Sequence, residues 1–266
     1  YDVAFPPSPE MMAMMESMGM ADEFKQVRRT ASSRRPNPRL ACSNPEVDGE
    51  NDQRDALEVS YEVIGRGDRS AATFEDATGM PVLRGGIDAV LAGDVARPLT
   101  AIVAVGVEAL APTVVSLVDS GVRRLLVEKP GAIDSTSLAQ VATAAVRCSA
   151  EVVIGYNRRY NAATSAARSM IAEDGGAVSC GFELSEWPHA TEPTEVDPAV
   201  RRRWLVAHSS HVVDLAFHLC GRPTDWSSWR AGSLAWHPDA ARFAGSGVTD
   251  QGVTFGYHGD WEAPGR

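Results

Sequence analysis

Apolar positions fall into two regimes along this chain. From Val59 onward they recur with the periods of strands and helices; before it they do not. Ser60–Gly65 alternates like a short strand. Residues 71–78 read as a helix stopped by Gly79 and Pro81, and a second helix is expected over 86–92. Residues 101–107 (AIVAVGV) are an unbroken apolar run of strand length, as expected of a parallel strand covered on both faces. Residues 111–119, with Val114, Val115, Leu117 and Val118, form a helix ended by Gly121. The run 122–127 is a further strand, followed by a helix over 135–147 and a strand over 151–156. Strands alternating with helices at this spacing indicate βαβ units on a parallel sheet.

After Tyr156 the rhythm changes. A helix runs through Ile171 to Asp174-Gly175-Gly176, and Val178 to Trp187 alternates like a strand with one exposed face. Thr191 to Pro198 is acidic and broken by proline. His211 to Cys220 has helical periodicity, with Ser209 or Ser210 as its cap and Gly221 and Pro223 as its stop. The segment carrying Trp226, Trp229, Trp236 and Trp261 reads as antiparallel strands and ends in mid-pattern at Arg266. The pattern predicts an α/β parallel sheet followed by an α+β domain with an open, largely antiparallel sheet lacking its last strands.

Residues 1–57 read as an irregular or poorly ordered leader. Six methionines between Met11 and Met20 make an apolar patch, a basic proline-broken run covers 28–39, and 42–55 offer almost nothing to bury. The whole chain has 266 residues, 44% hydrophobic and 23% charged, which allows one or two domains with ample core. Its net charge of -10 argues against general binding of nucleic acid or anionic membrane. No apolar run approaches the roughly 20 residues that span a bilayer, and no basic-then-apolar leader is visible. Cys42, Cys148, Cys180 and Cys220 form no CxxC pair, so zinc and disulfide frameworks are not expected and a cytoplasmic location is.

Two ionisable groups stand out against this order. Lys129 ends a buried strand, where open α/β sheets keep their ligands, and Pro130 keeps it extended. His211 lies in the first turn of its expected helix, where a helix N-terminus favours the neutral ring. A lysine ammonium stabilising an alkoxide and a neutral histidine taking the hydroxyl proton would suit oxidation of an alcohol, with a cofactor as hydride acceptor. The plainer alternatives are a solvated strand end at Lys129 and a helix-capping or interface histidine at His211. His208, His211, Asp214 and His218 lie near one helical face, but no carboxylate–histidine cluster elsewhere supplies further ligands, so no metal is expected.

The sequence Glu128-Lys129-Pro130 after an apolar strand resembles the signature of the Gfo/Idh/MocA oxidoreductases. Residues 155–160 (GYNRRY) resemble that family's crossing between domains, 210–215 (SHVVDL) its active-site helix, and 261–266 (WEAPGR) a late strand of its second domain. The match covers about 59–266 in the family's order. It implies an NAD(P)-binding Rossmann-like domain over 58–156, incomplete, and a truncated substrate and oligomerisation domain over 157–266. It further implies an NAD or NADP cofactor, a sugar, nucleotide-sugar or cyclitol substrate, and a homo-oligomer formed through the second sheet. By resemblance Lys129 and His211 are catalytic. Asp68, Arg69, Gly106, Glu128, Lys129 and Pro130 are cofactor-binding, and Arg158, Arg159, His208 and Asp214 face the substrate. Where many members carry Asp four residues before the histidine, this chain has Ala207.

One expected feature is missing. A dinucleotide needs a glycine-rich turn after the first strand, yet residues 40–57 contain only Gly49 and no apolar strand. Asp68, at the end of the next strand, is placed for ribose hydroxyls, and Arg69 beside it for a 2′-phosphate. Two explanations fit the missing turn: a displaced reading frame upstream of about 57, or a lineage that lost the turn and now serves as a non-catalytic binding or assembly protein.

Overall fold

The structure is a computed structural model and describes residues 41–42, 61–93, 97–187 and 196–263. These fall into two compact units. One runs to Ala132 and resumes over Ser137–Gly155; the other takes Ile133–Thr136 and everything from Tyr156.

The first unit is built on a six-stranded parallel sheet. Its strands are β1 (Ala41–Cys42), β2 (Val63–Ile64), β3 (Val82–Leu83), β4 (Thr100–Val103), β5 (Arg124–Val127) and β6 (Glu151–Ile154). Their spatial order is β3-β2-β1-β4-β5-β6, the doubly wound order that reverses between β1 and β4. A two-residue strand therefore stands at the sheet's centre, paired to Val63–Ile64 on one side and Ile102–Val103 on the other. It falls within the stretch expected to be irregular; the rest of 1–60, including the methionine patch and the basic run, lies outside the described residues.

Helices α1 (Asp68–Thr78), α2 (Gly86–Ala92), α3 (Val107–Asp119) and α4 (Ser135–Arg147) alternate with these strands. Helix α1 buries Ala71 and Phe74 against Val63 and Val82, and Gly79 closes it in the left-handed conformation that an L side chain resists. The apolar run at 101–107 does not remain strand throughout: β4 stops at Val103 and α3 starts at Val107, burying Leu110, Val114, Leu117 and Val118 at helical spacing.

Among the described residues, one face of β4 and β5 is better covered than the other. Ala101, Val103, Leu125 and Val127 are buried. Ile102, Leu126 and Val153 are in register across β4, β5 and β6 on the other face. Leu126 there is 42% exposed, and Ile102 and Val153 are half-buried. The expectation of burial on both faces of the 101–107 strand is met fully on one face and partly on the other, where Ile102 is half-buried.

The second unit contains a 3-10 turn (Asn157–Tyr160), α5 (Ala162–Glu173), a short helix α6 (Pro198–Arg202), a π-helical turn (Leu205–Ser209) and α7 (Ser210–Cys220). Its sheet has the order β7-β10-β9-β8, from β7 (Ser179–Glu183), β8 (Pro223–Ala231), β9 (Arg242–Thr249) and β10 (Thr254–Asp260). The pairs β8–β9 and β9–β10 are antiparallel, while β7 joins β10 in parallel. Aromatic side chains fill the inner face: Phe217 of α7 meets Phe182 and Phe255 edge-on, and Tyr257 stacks on Phe182. Glycines opposite make room for them. A Cβ on Gly247 would run into the Asp225 carbonyl oxygen and stand 2.8 Å from the Phe255 ring. Trp261, expected in a late strand, instead follows β10, is fully buried, and donates its indole N–H to the Leu184 carbonyl at 2.9 Å.

Candidate functional site

All six of the expected cofactor positions lie beyond the carboxyl ends of the parallel strands. The peptide after β2 is pinned at Gly65, which donates to Leu83 O and accepts from Gly86 N, both at 2.9 Å. The chain then enters α1 with Asp68 as its first residue and Arg69 exposed beside it. The Asp68 side chain is 93% exposed. Arg84, just after β3, reaches back: its guanidinium donates to the Asp68 carbonyl at 3.0 Å and also pairs with Glu75. Glu75 in turn accepts from Val82 N at 2.9 Å. Arg84 was not singled out from sequence, because only the β2–β3 pairing brings a residue sixteen positions away beside Asp68.

Gly106 precedes α3, exposed, after β4. The turn after β5 is tight. Glu128 N donates to Val103 O at 2.8 Å and Gly131 N to Glu128 O at 3.0 Å. Gly131 has φ +83 and no room for a side chain, since a Cβ would meet Ile154 Cγ1 at 3.1 Å. Lys129 is therefore carried on a turn fixed at both ends, half-buried, with Pro130 buried after it. Its placement at the carboxyl end of a central strand follows from the apolar run that precedes it.

An exposed carboxylate beyond β2, an exposed glycine beyond β4 and a lysine beyond β5 stand at the carboxyl edge of the sheet, where a dinucleotide lies in doubly wound folds, and they suit its ribose and nicotinamide ends. The pyrophosphate turn would come from 43–60, which lie outside the described residues and hold a single glycine.

The second unit gathers the residues expected to serve substrate. Tyr156 is fully buried, and its ring meets the half-buried His211 ring edge-to-face at 5.8 Å. Arg159 lies over the same tyrosine, with its guanidinium carbon 5.8 Å from the ring centre. Arg159 and Asp214 were both expected to face substrate, but they bind each other. Arg159 Nε donates to Asp214 Oδ2 at 2.8 Å, and a second guanidinium nitrogen donates to Oδ1. Asp214 is 1% exposed, so a carboxylate there needs a fixed cation. Burial pushes its carboxyl above the ordinary value, opposed by the Arg159 hydrogen bonds and charge. The pair ties the 3-10 turn to α7 around Tyr156 and His211. Arg158 is exposed, and its carbonyl accepts from Thr164 Oγ1 at 2.7 Å.

Neither Ser209 nor Ser210 caps α7. The π turn Leu205–Ser209 runs straight into it, and Ser209 is itself helical with no capping bond. His211 thus sits inside a continuous helical segment, and the argument for a neutral ring from a free helix N-terminus does not apply. Ser209 Oγ instead donates to Glu186 Oε1 at 2.6 Å. His208 Nδ1 is 3.4 Å from the same oxygen, and its ring stacks on Trp204 with centroids 4.7 Å apart. Glu186 went unnoticed in the sequence because it follows β7, more than twenty residues upstream. Among the described residues no group of three or more His, Cys, Asp or Glu side chains is arranged to hold a metal ion, and no helix is long and apolar enough to cross a membrane.

No family model matches the sequence, and no curated protein matches it. Solved structures do match. The WlbA dehydrogenase from Bordetella pertussis, in complex with NADH and UDP-GlcNAcA, superposes with a TM-score of 0.69 at 12% identity, over 84% of this chain and 70% of that one. An oxidoreductase from Thermotoga maritima gives 0.71 at 15%, over 86% and 74%. Levoglucosan dehydrogenase, in complex with NADH and L-sorbose, gives 0.69 at 14%, over 87% and 69%. At these identities the likeness is one of fold: the chain has the Rossmann-like and mixed-sheet architecture of these oxidoreductases, the architecture expected from the Gfo/Idh/MocA resemblance.

Proposed function

We propose that this chain is an NAD(P)-dependent oxidoreductase that acts on a hydroxyl-bearing carbon of a sugar, nucleotide sugar or cyclitol. The observation that carries the reading is Lys129, held on a rigid turn at the carboxyl end of β5 in a doubly wound sheet. The fold shared with dehydrogenases crystallised with NADH supports it. A bound nicotinamide would supply the hydride acceptor or donor. The Lys129 ammonium stabilises the negative charge that develops on the substrate oxygen, and His211 takes or returns the hydroxyl proton. Asp68 and Arg69 would meet the adenosine ribose, with Gly106 and Glu128–Pro130 along the nicotinamide half. Arg158 and His208 remain the groups offered to substrate, while Arg159 and Asp214 hold the ground beneath His211.

Assembly as a homo-oligomer belongs to the same reading. The outer face of the second sheet presents Trp229, Ala244, His258 and Glu183 as one cross-strand row, and Ser227, Ser246, Gly256 and Gly181 as the next. Trp229 on that face is 60% exposed. Small residues around an exposed tryptophan suit a sheet-to-sheet contact.

The single glycine in 43–60 favours a second reading, a sugar-nucleotide-binding or assembly protein without turnover. Reduction of NAD and NADP, followed by absorbance over a panel of polyols, sugars and nucleotide sugars, separates the two. Turnover that falls by roughly a hundredfold or more in kcat/KM in both Lys129→Ala and His211→Ala is expected. Turnover unaffected by either change would remove both residues from the reaction, and ligand binding without turnover would favour the second reading.

A further inference from the structure

Glu186 leaves β7 three residues past its last strand position, and its side chain is only 15% exposed. One of its oxygens is shared. Oε1 accepts from Ser209 Oγ at 2.6 Å and stands 3.4 Å from His208 Nδ1. The His208 ring is held by its face, lying within 9° of parallel to the Trp204 indole. Trp204 is itself buried and meets Trp236 edge-on, and Trp236 stacks on Trp261. The ring is thus seated on the aromatic core of the second unit. Even so, 58% of the His208 side chain is exposed.

These contacts are one-sided. The Nδ1 edge faces a carboxylate, and Nε2 on the opposite side of the ring makes no hydrogen bond among the described residues. A neutral imidazole has one N–H and one lone pair, and the partner of one nitrogen decides the state of the other. A carboxylate facing Nδ1 draws the proton there and leaves the lone pair on Nε2. The π turn is what brings His208 to this position, since its wider winding sets Leu205–Ser209 apart from the α-helical register of α7.

We propose that Glu186 is a positioning residue that fixes His208 as the Nδ1–H tautomer and thereby offers Nε2 as a hydrogen-bond acceptor to a ligand hydroxyl. The ligand class, a polyhydroxylated carbohydrate, rests on the oxidoreductase reading; the tautomer does not. His208 precedes His211 by three positions on one continuous helical segment, the first in the π turn and the second in α7. A second acceptor on the segment that carries His211 would orient a further hydroxyl of the substrate.

The test is ring-nitrogen NMR of the full ¹⁵N-labelled chain at a pH where the histidines are neutral. The chain has six histidines, and a His208→Gln spectrum assigns the one in question. The proposal expects the Nδ1–H form at His208 in the wild type and a shift toward Nε2–H in Glu186→Ala. An Nε2–H wild type, or no shift in the variant, overturns it, and the wild-type spectrum decides even where the variant fails to fold. With a substrate that turns over, Glu186→Ala and His208→Gln should each raise KM by about tenfold, and the double variant should be no worse than either single one. Losses that multiply would show that Glu186 does not act through His208 and would overturn the functional half. Absence of turnover with every substrate would sink the oxidoreductase reading, while the spectra would still decide the tautomer.

Discussion

A buried ion pair carries the clearest consequence for a single residue. Arg159 and Asp214 satisfy each other around Tyr156 and His211, and removal of one partner strands the other charge away from water. Asp214→Ala is expected to cost about 3–5 kcal/mol in urea unfolding, with the Arg159→Leu, Asp214→Leu double variant recovering part of it. A cost below about 1 kcal/mol for the single change would mean that the pair does not hold the turn to α7. Cys180 gives a second prediction. Burial and the Cys220 thiol beside it push its pKa up to about 12. The folded state then holds that proton more tightly than the unfolded chain, so stability falls as pH rises past the ordinary thiol value of about 8.5. Alkylation of Cys180 at pH 8, read by mass spectrometry, should run at least ~100-fold slower in the folded protein than in urea; equal rates would contradict the burial. Neither pairing was legible from the sequence, because both join residues forty or more positions apart across elements whose facing sides only the packing decides.

Elements were easier to read than their surroundings. The helices at 86–92 and 135–147 appear with the boundaries expected from periodicity, since glycine and serine mark their ends and apolar spacing their inner faces. Periodicity failed where it does not discriminate. The run at 101–107 is apolar throughout, so it contained no signal for the change from strand to helix. It also implied two covered faces, where β4 is fully covered on one and half-covered on the other. That difference is measurable in adjacent residues of β5. Leu125→Ala, at 2% exposure, should cost about 2–5 kcal/mol. Leu126→Ala, at 42%, should cost less than about 1 kcal/mol. Equal costs would show that the second face is covered in solution. In the other sheet, Gly247 gives the opposite kind of test. Its Cβ position is filled by backbone of β8 as well as by Phe255 and Trp226, so Gly247→Ala should lose about 1–3 kcal/mol by overpacking.

At the scale of the whole molecule, the order of motifs was a sound guide to architecture. A strand ending in Glu128-Lys129-Pro130, the 155–160 segment and the helix at His211 predicted a parallel sheet followed by a largely antiparallel one, and both are present, the second with one parallel pair. What motifs could not give was a first strand written in two residues. Ala41–Cys42 has no periodicity to detect, and it is placed only by pairing with β2 and β4. Its position fixes where a pyrophosphate turn would have to begin, in a stretch with one glycine. Oxidoreductase activity therefore requires that this chain hold a nicotinamide dinucleotide. Titration of the full chain with NADH and with NADPH, followed by enhancement of the nicotinamide fluorescence, is the most direct measurement. Saturable enhancement, reversed by NAD or NADP, is the predicted result; no enhancement with either nucleotide up to millimolar concentration would contradict it.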